Sequence, residues 1–137
     1  AVAIDGVPMF PNYNNRGKFT WTSCEVDRCN AHSGKGEDYH YHGDFFGAKC
    51  LYTESDYGSD VGTGHPPLIG WALDGYEVFG RYTRSTQQGQ GVARDSCGGH
   101  EHAGVSAYHY HPEVDTSMTT NSLDGTNLGG ATVTYTA

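Results

Sequence analysis

The sequence has no long apolar run and few basic residues. None of its apolar stretches approaches the roughly 20 residues that a membrane-spanning helix requires. Its 8 lysines and arginines stand against 16 aspartates and glutamates, which gives a formal net charge of −8. Because no apolar stretch is long enough, we expect no membrane span. Because so acidic a chain offers no basic surface to phosphate groups, we expect no nucleic-acid partner, and a cation is the more suitable ligand.

The familiar catalytic motifs are also missing. The sequence contains no His-Glu-x-x-His, no Gly-x-Ser-x-Gly and no glycine loop of the kind that cradles phosphate. The sequence therefore assigns no catalytic residue.

The composition that is present favours a β fold. A chain of 137 residues fits one domain, 1–137. Its 20 glycines, its 10 tyrosines and the lack of a sustained helical period predict a mainly β, loop-rich domain.

The sequence repeats itself once along its length. Tyr-His-Tyr-His occurs at 39–42 and again at 108–111, and in the same register "AIDGVPMFP" matches "ALDGYEVFG". In the neighbouring register, "DRCNAH" matches "DSCGGH". We interpret this as a duplicated half-domain with pseudo-twofold symmetry, its halves spanning about 3–44 and 72–113. The Thr/Ser/Gly-rich segment 114–137 has no counterpart, but its "ATVTYT" alternates like a strand.

Each half begins with an Asp-Gly pair that is typical of a hairpin turn. Asp74-Gly75 lies between two apolar runs and predicts a hairpin strongly, because both residue types tolerate positive φ. Asp5-Gly6 is a weaker copy, since Pro8 limits its second strand to an edge or an irregular path.

The two tetrapeptides suggest a metal site. Residues i and i+2 of a strand share one face with Cα atoms about 6.5 to 7 Å apart, so both histidines of each copy can converge on one ion. If the pseudo-twofold brings the strands together, four imidazoles meet. The predicted ligands are His40, His42, His109 and His111, followed by His32 and His100 from the matched Cys-x-x-His elements.

The same residues allow a structural interpretation, in which histidine and tyrosine form a half-buried core that the duplication repeats. Asp5 and Asp74 favour a turn role over ligation, though they and the tyrosines Tyr39, Tyr41, Tyr108 and Tyr110 are candidates to support the metal ligands from outside. His65 and His102 have no matched partner, so we expect them on the surface or in loops.

The four cysteines, none in a Cys-x-x-Cys pair, predict disulfides rather than a zinc knuckle. We expect all four to be oxidised. Cys29 and Cys97 occupy matched positions and Cys24 and Cys50 do not, which favours the pairs Cys29–Cys97 and Cys24–Cys50 while leaving the other pairings open.

Three segments resemble the conserved core of the YHYH domain family: "CNAHSGKGEDYHYHGD", "HPPLIGWALDGYEVFG" and "CGGHEHAGVSAYHYHPE". The resemblance runs from about residue 3 to residue 113. It implies a secreted or cell-surface protein and leaves the activity open. Many members carry a further cysteine after the second tetrapeptide, whereas this chain has none beyond Cys97, which puts the family's disulfide pattern in doubt here.

Three functions compete on this sequence. The leading hypothesis is a secreted metal-binding domain, with a copper ion favoured over a zinc ion, that sequesters or delivers the metal. The alternatives are a metal-dependent enzyme with an open histidine-ligated site, and a structural or adhesive module without metal.

Overall fold

Short strands joined by long turns make up the fold, as the sequence predicted. The computed structural model describes residues 1–21, 23–35, 38–115 and 132–134. Its strands are β1 (Val2–Ala3), β2 (Ala31–Ser33), β3 (Tyr39–Tyr41), β4 (Leu68–Trp71), β5 (Glu77–Phe79), β6 (Gly99–His102), β7 (Val105–Tyr110), β8 (Glu113–Asp115) and β9 (Thr132–Thr134). A 3₁₀ helix, Glu54–Asp60, is interrupted at Gly58. Across the described residues, no helix has the length and apolarity needed to cross a membrane.

The strands form one larger sheet and two hairpins. The five-stranded sheet has the order β1-β4-β5-β7-β6 and is antiparallel except where β5 runs parallel to β7. β2 pairs with β3, and β8 pairs with β9, each in antiparallel register. β9 lies within "ATVTYT", which confirms the strand predicted there. Most of segment 114–137 otherwise lies outside the described residues.

Both Asp-Gly turns form as predicted. Gly6 and Gly75 have φ angles of 84° and 92°, which glycine adopts without strain. Each preceding aspartate accepts a hydrogen bond from the backbone nitrogen two residues on, at 3.0 Å for Asp5 and 3.2 Å for Asp74. The first copy is the weaker hairpin, because Pro8 makes only an isolated bridge to Val2.

The core joins the β2–β3 hairpin to the five-stranded sheet. Its centre is Phe45, which is fully buried and packs on Tyr41 with ring centroids 4.2 Å apart. Ile69 and Val78 contribute from β4 and β5. Each fully buried side chain of this kind stabilises the fold by about 1.5 to 3 kcal/mol before the cost in entropy.

A buried ion pair links the two halves of the sequence. Asp44 is fully buried, its Oδ2 lies 2.6 Å from Arg81 Nε, and its Oδ1 accepts a hydrogen bond from Tyr52. Burial raises the pKa of the Asp44 carboxyl to about 6, although the Arg81 guanidinium acts in the opposite direction.

The expected disulfide pairs are wrong, and so is the expectation that all four cysteines are oxidised. Cys29 bonds to Cys50, while Cys24 and Cys97 are exposed free thiols. The matched positions Cys29 and Cys97 precede different hairpins, β2–β3 and β6–β7, so the repeat keeps them apart instead of joining them. The loop closed by Cys29–Cys50 spans 21 residues, a length for which a disulfide contributes about 3 kcal/mol to stability.

Candidate metal centres

Three imidazoles meet on the β2–β3 hairpin. His32 lies opposite His40 in the register, and His42 follows His40 by two residues. Their Nε2 atoms form a triangle with sides of 3.1 Å (His32 to His40), 2.9 Å (His40 to His42) and 3.1 Å (His42 to His32). Nitrogens bound to one ion at about 2.0–2.1 Å stand about 2.8 to 3.4 Å apart. This first cluster therefore has the spacing of a three-histidine metal site.

In two of these three rings, a backbone carbonyl determines which nitrogen carries the hydrogen. His40 Nδ1 lies 2.7 Å from the carbonyl oxygen of Asp38, and His42 Nδ1 lies 2.6 Å from that of Pro11. Because a carbonyl oxygen only accepts, each Nδ1 donates and each Nε2 of the neutral ring presents a lone pair. Two such lone pairs 2.9 Å apart repel each other unless a cation lies between them.

A second cluster gathers at the edge of the five-stranded sheet. It consists of His65, His102, His109 and His111, with one ring nitrogen of each within 4.8 Å of the others. His109 is fully buried on β7 and His111 directly follows that strand. His102 ends β6, and His65 comes from the loop before β4, placing its Nε2 3.4 Å from that of His109.

The same carbonyl arrangement recurs in the second cluster. Each Nδ1 lies 2.7 to 3.1 Å from a backbone oxygen, namely that of Pro66 for His65, Ala103 for His102, Ala107 for His109 and Gly80 for His111. All four Nε2 atoms are thus left as ligands, in the way that outer partners orient metal-bound histidines.

His100 is a fifth imidazole beside the second cluster. It pairs with His109 across β6 and β7 as His32 pairs with His40, and their ring centroids are 4.8 Å apart. Its Nδ1 lies 3.2 Å from the Val92 oxygen. Its buried Nε2 has no hydrogen-bond partner within the described part of the chain, which leaves that nitrogen available to a metal.

Comparison with known protein families identifies the family of this chain. Residues 1–94, more than half of the chain, match the family model described as YHYH protein. The chain belongs to the YHYH family. No curated protein matches it, and no solved structure does.

Burial favours the neutral imidazoles of this YHYH protein. Loss of hydration is the main cause that lowers the pKa of His65, to about 4, and it lowers the pKa of His111 far below the usual value. It also lowers the pKa of His42, His100 and His109, and neighbouring imidazoles add to the effect in each. The rings therefore keep their ligand lone pairs at neutral pH.

The expectation that both tetrapeptides of the YHYH protein build one cluster is wrong. His40 and His42 belong to the first cluster, and His109 and His111 belong to the second. The physical reason is strand pairing: β3 pairs with β2, whereas β7 lies between β5 and β6. Each tetrapeptide strand completes its own hairpin.

His65 lies in a loop, as expected, and His102 is half-buried at the end of β6. Neither residue was predicted to be a ligand, whereas the structure brings both into the second cluster. A local signal for His102 existed, since His100 and His102 repeat the i, i+2 spacing of the tetrapeptides. His65 reaches the cluster from a loop distant in sequence, and no spacing marks it.

The tetrapeptide tyrosines, which are candidates to support the ligands, form hydrogen bonds to aspartates of nearby turns and loops. The tyrosine hydroxyls donate to carboxylates, from Tyr41 to Asp5 at 2.9 Å, Tyr110 to Asp74 at 2.6 Å, Tyr39 to Asp27 at 3.2 Å and Tyr108 to Asp95 at 2.9 Å. Burial raises the pKa of Tyr41, while the bond to Asp74 is the main cause that raises the pKa of Tyr110. Backbone carbonyls, which sequence reasoning did not consider, are what orient the rings.

These contacts occur in matched pairs along the chain. Met9 bridges Tyr41 in parallel, and Val78, its counterpart in the second copy of the repeat, pairs with Tyr110 in parallel. The carbonyl partners of His42 and His111, which are Pro11 and Gly80, also occupy matched positions of the two copies. The local geometry of one tetrapeptide is thus repeated at the other.

Proposed function

We propose that this protein binds metal ions at two separate histidine sites, one in each cluster. The observation that carries this proposal lies in the first cluster. There the Nε2 lone pairs of His40 and His42 face each other at 2.9 Å, while backbone carbonyls accept both Nδ1 hydrogens. A cation relieves that repulsion. A proton is the weaker candidate, because burial lowers the pKa of His42.

Copper is the favoured metal, with zinc as the alternative. Imidazole sets discriminate weakly by ligand type, and the affinity order of divalent ions at a nitrogen site places Cu²⁺ above Zn²⁺. A site built from buried, neutral imidazoles suits sequestration or delivery of such an ion.

A metal-dependent enzyme is the second candidate, supported by the first cluster. Three protein ligands leave a coordination position for water or dioxygen, as in catalytic metal sites. Phe10 stacks on His40 with centroids 4.3 Å apart and is 45% exposed, so this cluster lies near the surface, where a small molecule can reach it.

We propose further that the single domain, 1–137, arose by duplication of a half-domain, with a pseudo-twofold axis relating about 3–44 to 72–113. The matched bridges Met9–Tyr41 and Val78–Tyr110 support this proposal. If the two units of an experimental structure superpose poorly, the duplication is contradicted.

We also propose that the protein is secreted or displayed at the cell surface. The Cys29–Cys50 disulfide supports this location, because disulfides persist in oxidising compartments. Recovery of the native protein only from the cytosol would contradict it.

The test of the metal proposal is a competition titration. Protein purified without added metal is analysed for its metal content and then titrated with Cu²⁺ and Zn²⁺ together. We expect copper to displace zinc and the Cu²⁺ paramagnetic spectrum to show coupling to imidazole nitrogen. Preference for zinc would overturn the copper assignment, and failure to bind either ion would leave the structural or adhesive module.

A further inference from the structure

Tyr82 stands at the second cluster with its oxygen among the imidazole nitrogens. The hydroxyl lies 3.1 Å from His111 Nε2 and 3.5 Å from His102 Nε2. Its ring lies over that of His111, with centroids 4.4 Å apart and planes at 33°. These spacings are close to the roughly 2.8 to 3.4 Å between atoms that share one ion.

The repeat offers an internal comparison for this tyrosine. Tyr13 occupies the matched position in the first copy, but it is 47% exposed and stacks on Phe19 at 4.3 Å. The same residue type is therefore directed away from the first cluster and into the second.

The backbone at Gly89 closes the second cluster over this oxygen. A Cβ at Gly89 would overlap both His102 Nε2 and the Tyr82 hydroxyl, and its φ of +86° favours glycine as well. Glycine at position 89 thus lets the backbone approach the Tyr82 oxygen and the His102 ring more closely than a residue with a Cβ would.

Metal binding changes what the hydroxyl can do. Without metal, Tyr82 donates its hydrogen to the lone pair of His111 Nε2, whose Nδ1 faces the Gly80 oxygen. An ion bound to that Nε2 uses the same lone pair, so the hydroxyl loses its acceptor while its oxygen stays beside the ion.

We propose that the phenol oxygen of Tyr82 is a ligand of the metal in the second site, which makes that site a mixed nitrogen and oxygen site and the first an all-nitrogen one. This inference rests on the proposed metal-binding function. On coordination the O–H bond breaks, the proton passes to water and an oxygen–metal bond forms, with no oxidant or reductant required.

The test uses the full chain loaded with Cu²⁺ until both sites are filled. A phenolate bound to Cu²⁺ gives a visible charge-transfer band, which imidazole ligands do not. We expect the band in the unaltered protein, its loss in Tyr82→Phe, and its retention in the matched control Tyr13→Phe. We also expect the copper affinity of the second site to fall by at least about tenfold in Tyr82→Phe, in line with the loss of a partner at a metal site.

Two results would overturn the inference, and they differ from failure of the proposed function. Copper that binds the unaltered protein without the band excludes Tyr82 as a ligand and leaves the histidine sites intact, and this measurement needs no variant. A band that survives in Tyr82→Phe assigns it to another tyrosine. Absence of copper binding altogether removes both proposals.

Discussion

A neutral histidine whose Nδ1 hydrogen is held by a backbone carbonyl can only accept at Nε2, and this arrangement recurs in the protein. His40, His42, His109 and His111 all follow it, with Nδ1 to oxygen distances of 2.6 to 2.7 Å. Several Nε2 lone pairs held close together repel one another when the site is empty, but they become favourable when they surround a cation. The tautomer of each ring is therefore part of the metal site.

Replacing His65 by alanine should weaken the second site without affecting the first. His65 Nε2 lies 3.4 Å from that of His109, so the variant removes one ligand from the second cluster. We expect a loss of affinity at least as large as the roughly 10- to 100-fold that accompanies loss of an outer partner. Isothermal titration with Cu²⁺ measures both sites, and His40→Ala is the matched control, which should remove the first site and leave the second unchanged. Unchanged binding in His65→Ala would exclude that residue as a ligand.

The second site should hold its metal in more acidic solution than ordinary imidazoles do. A proton competes with metal only near and below the pKa of the ring, which burial lowers to about 4 for His65. Since the free imidazole value is about 6.5, we expect half-release of this metal well below that pH. Dialysis at stepwise pH followed by elemental analysis checks the result. Release of all bound metal together at the pH of the free imidazole pKa would contradict it.

At the scale of elements, each tetrapeptide strand makes a different set of contacts on each of its two faces. Its histidines point to a cluster, while its tyrosines bind carboxylates from the Asp-Gly turn and from the loop before the partner strand. The alternation of a strand makes both roles possible in four residues.

Removing the Tyr41 hydroxyl should lower stability and leave metal binding intact. Tyr41→Phe deletes the 2.9 Å bond to Asp5, at a cost of about 0.5 to 1.5 kcal/mol, which urea unfolding measures. Tyr39→Phe is the control, because Tyr39 is 41% exposed and its bond to Asp27 is longer, at 3.2 Å, so we expect a smaller loss. A change in metal stoichiometry in Tyr41→Phe would contradict this prediction and show that Tyr41 contributes to metal binding.

The sequence predicted the local parts of this arrangement better than their assembly. The Asp-Gly turns and the shared face of His40 and His42 follow from spacing along the chain, and both were predicted correctly. Strand pairing between distant segments does not follow from spacing, so the division into two clusters was missed. For the same reason the position of His65 in the second cluster was not predicted, because only the fold brings its loop to β7.

At the scale of the whole molecule, one buried charge pair joins the halves that the clusters keep separate. Asp44 follows the first tetrapeptide, and Arg81 follows β5 in the second half. The raised pKa of Asp44 makes the stability of the fold depend on pH. The protonated Asp44 carboxyl contributes fully to the free energy of unfolding below pH 3.8, its ordinary pKa, and this contribution is lost as the pH rises to about 6.

Arg81→Met should destabilise the protein most above that pH. The variant leaves the Asp44 carboxylate buried and unpaired, which costs about 3 to 5 kcal/mol, and the cost shrinks as acid protonates Asp44. Arg84→Met is the control, since Arg84 pairs with Glu54 on the surface and should change stability by less than about 1 kcal/mol. Urea unfolding across this pH range compares the two, and an equal loss in both variants would contradict the role of the Asp44–Arg81 pair.

The most direct test of two separate metal sites is the copper stoichiometry of the unaltered chain and its histidine variants, measured by titration and elemental analysis. We predict two ions for the unaltered chain, and one each for His40→Ala and His109→Ala, because these residues lie in different clusters. The double substitution should then bind none. A single ion in the unaltered protein that is lost in either variant would contradict this account and show one site shared by both tetrapeptides.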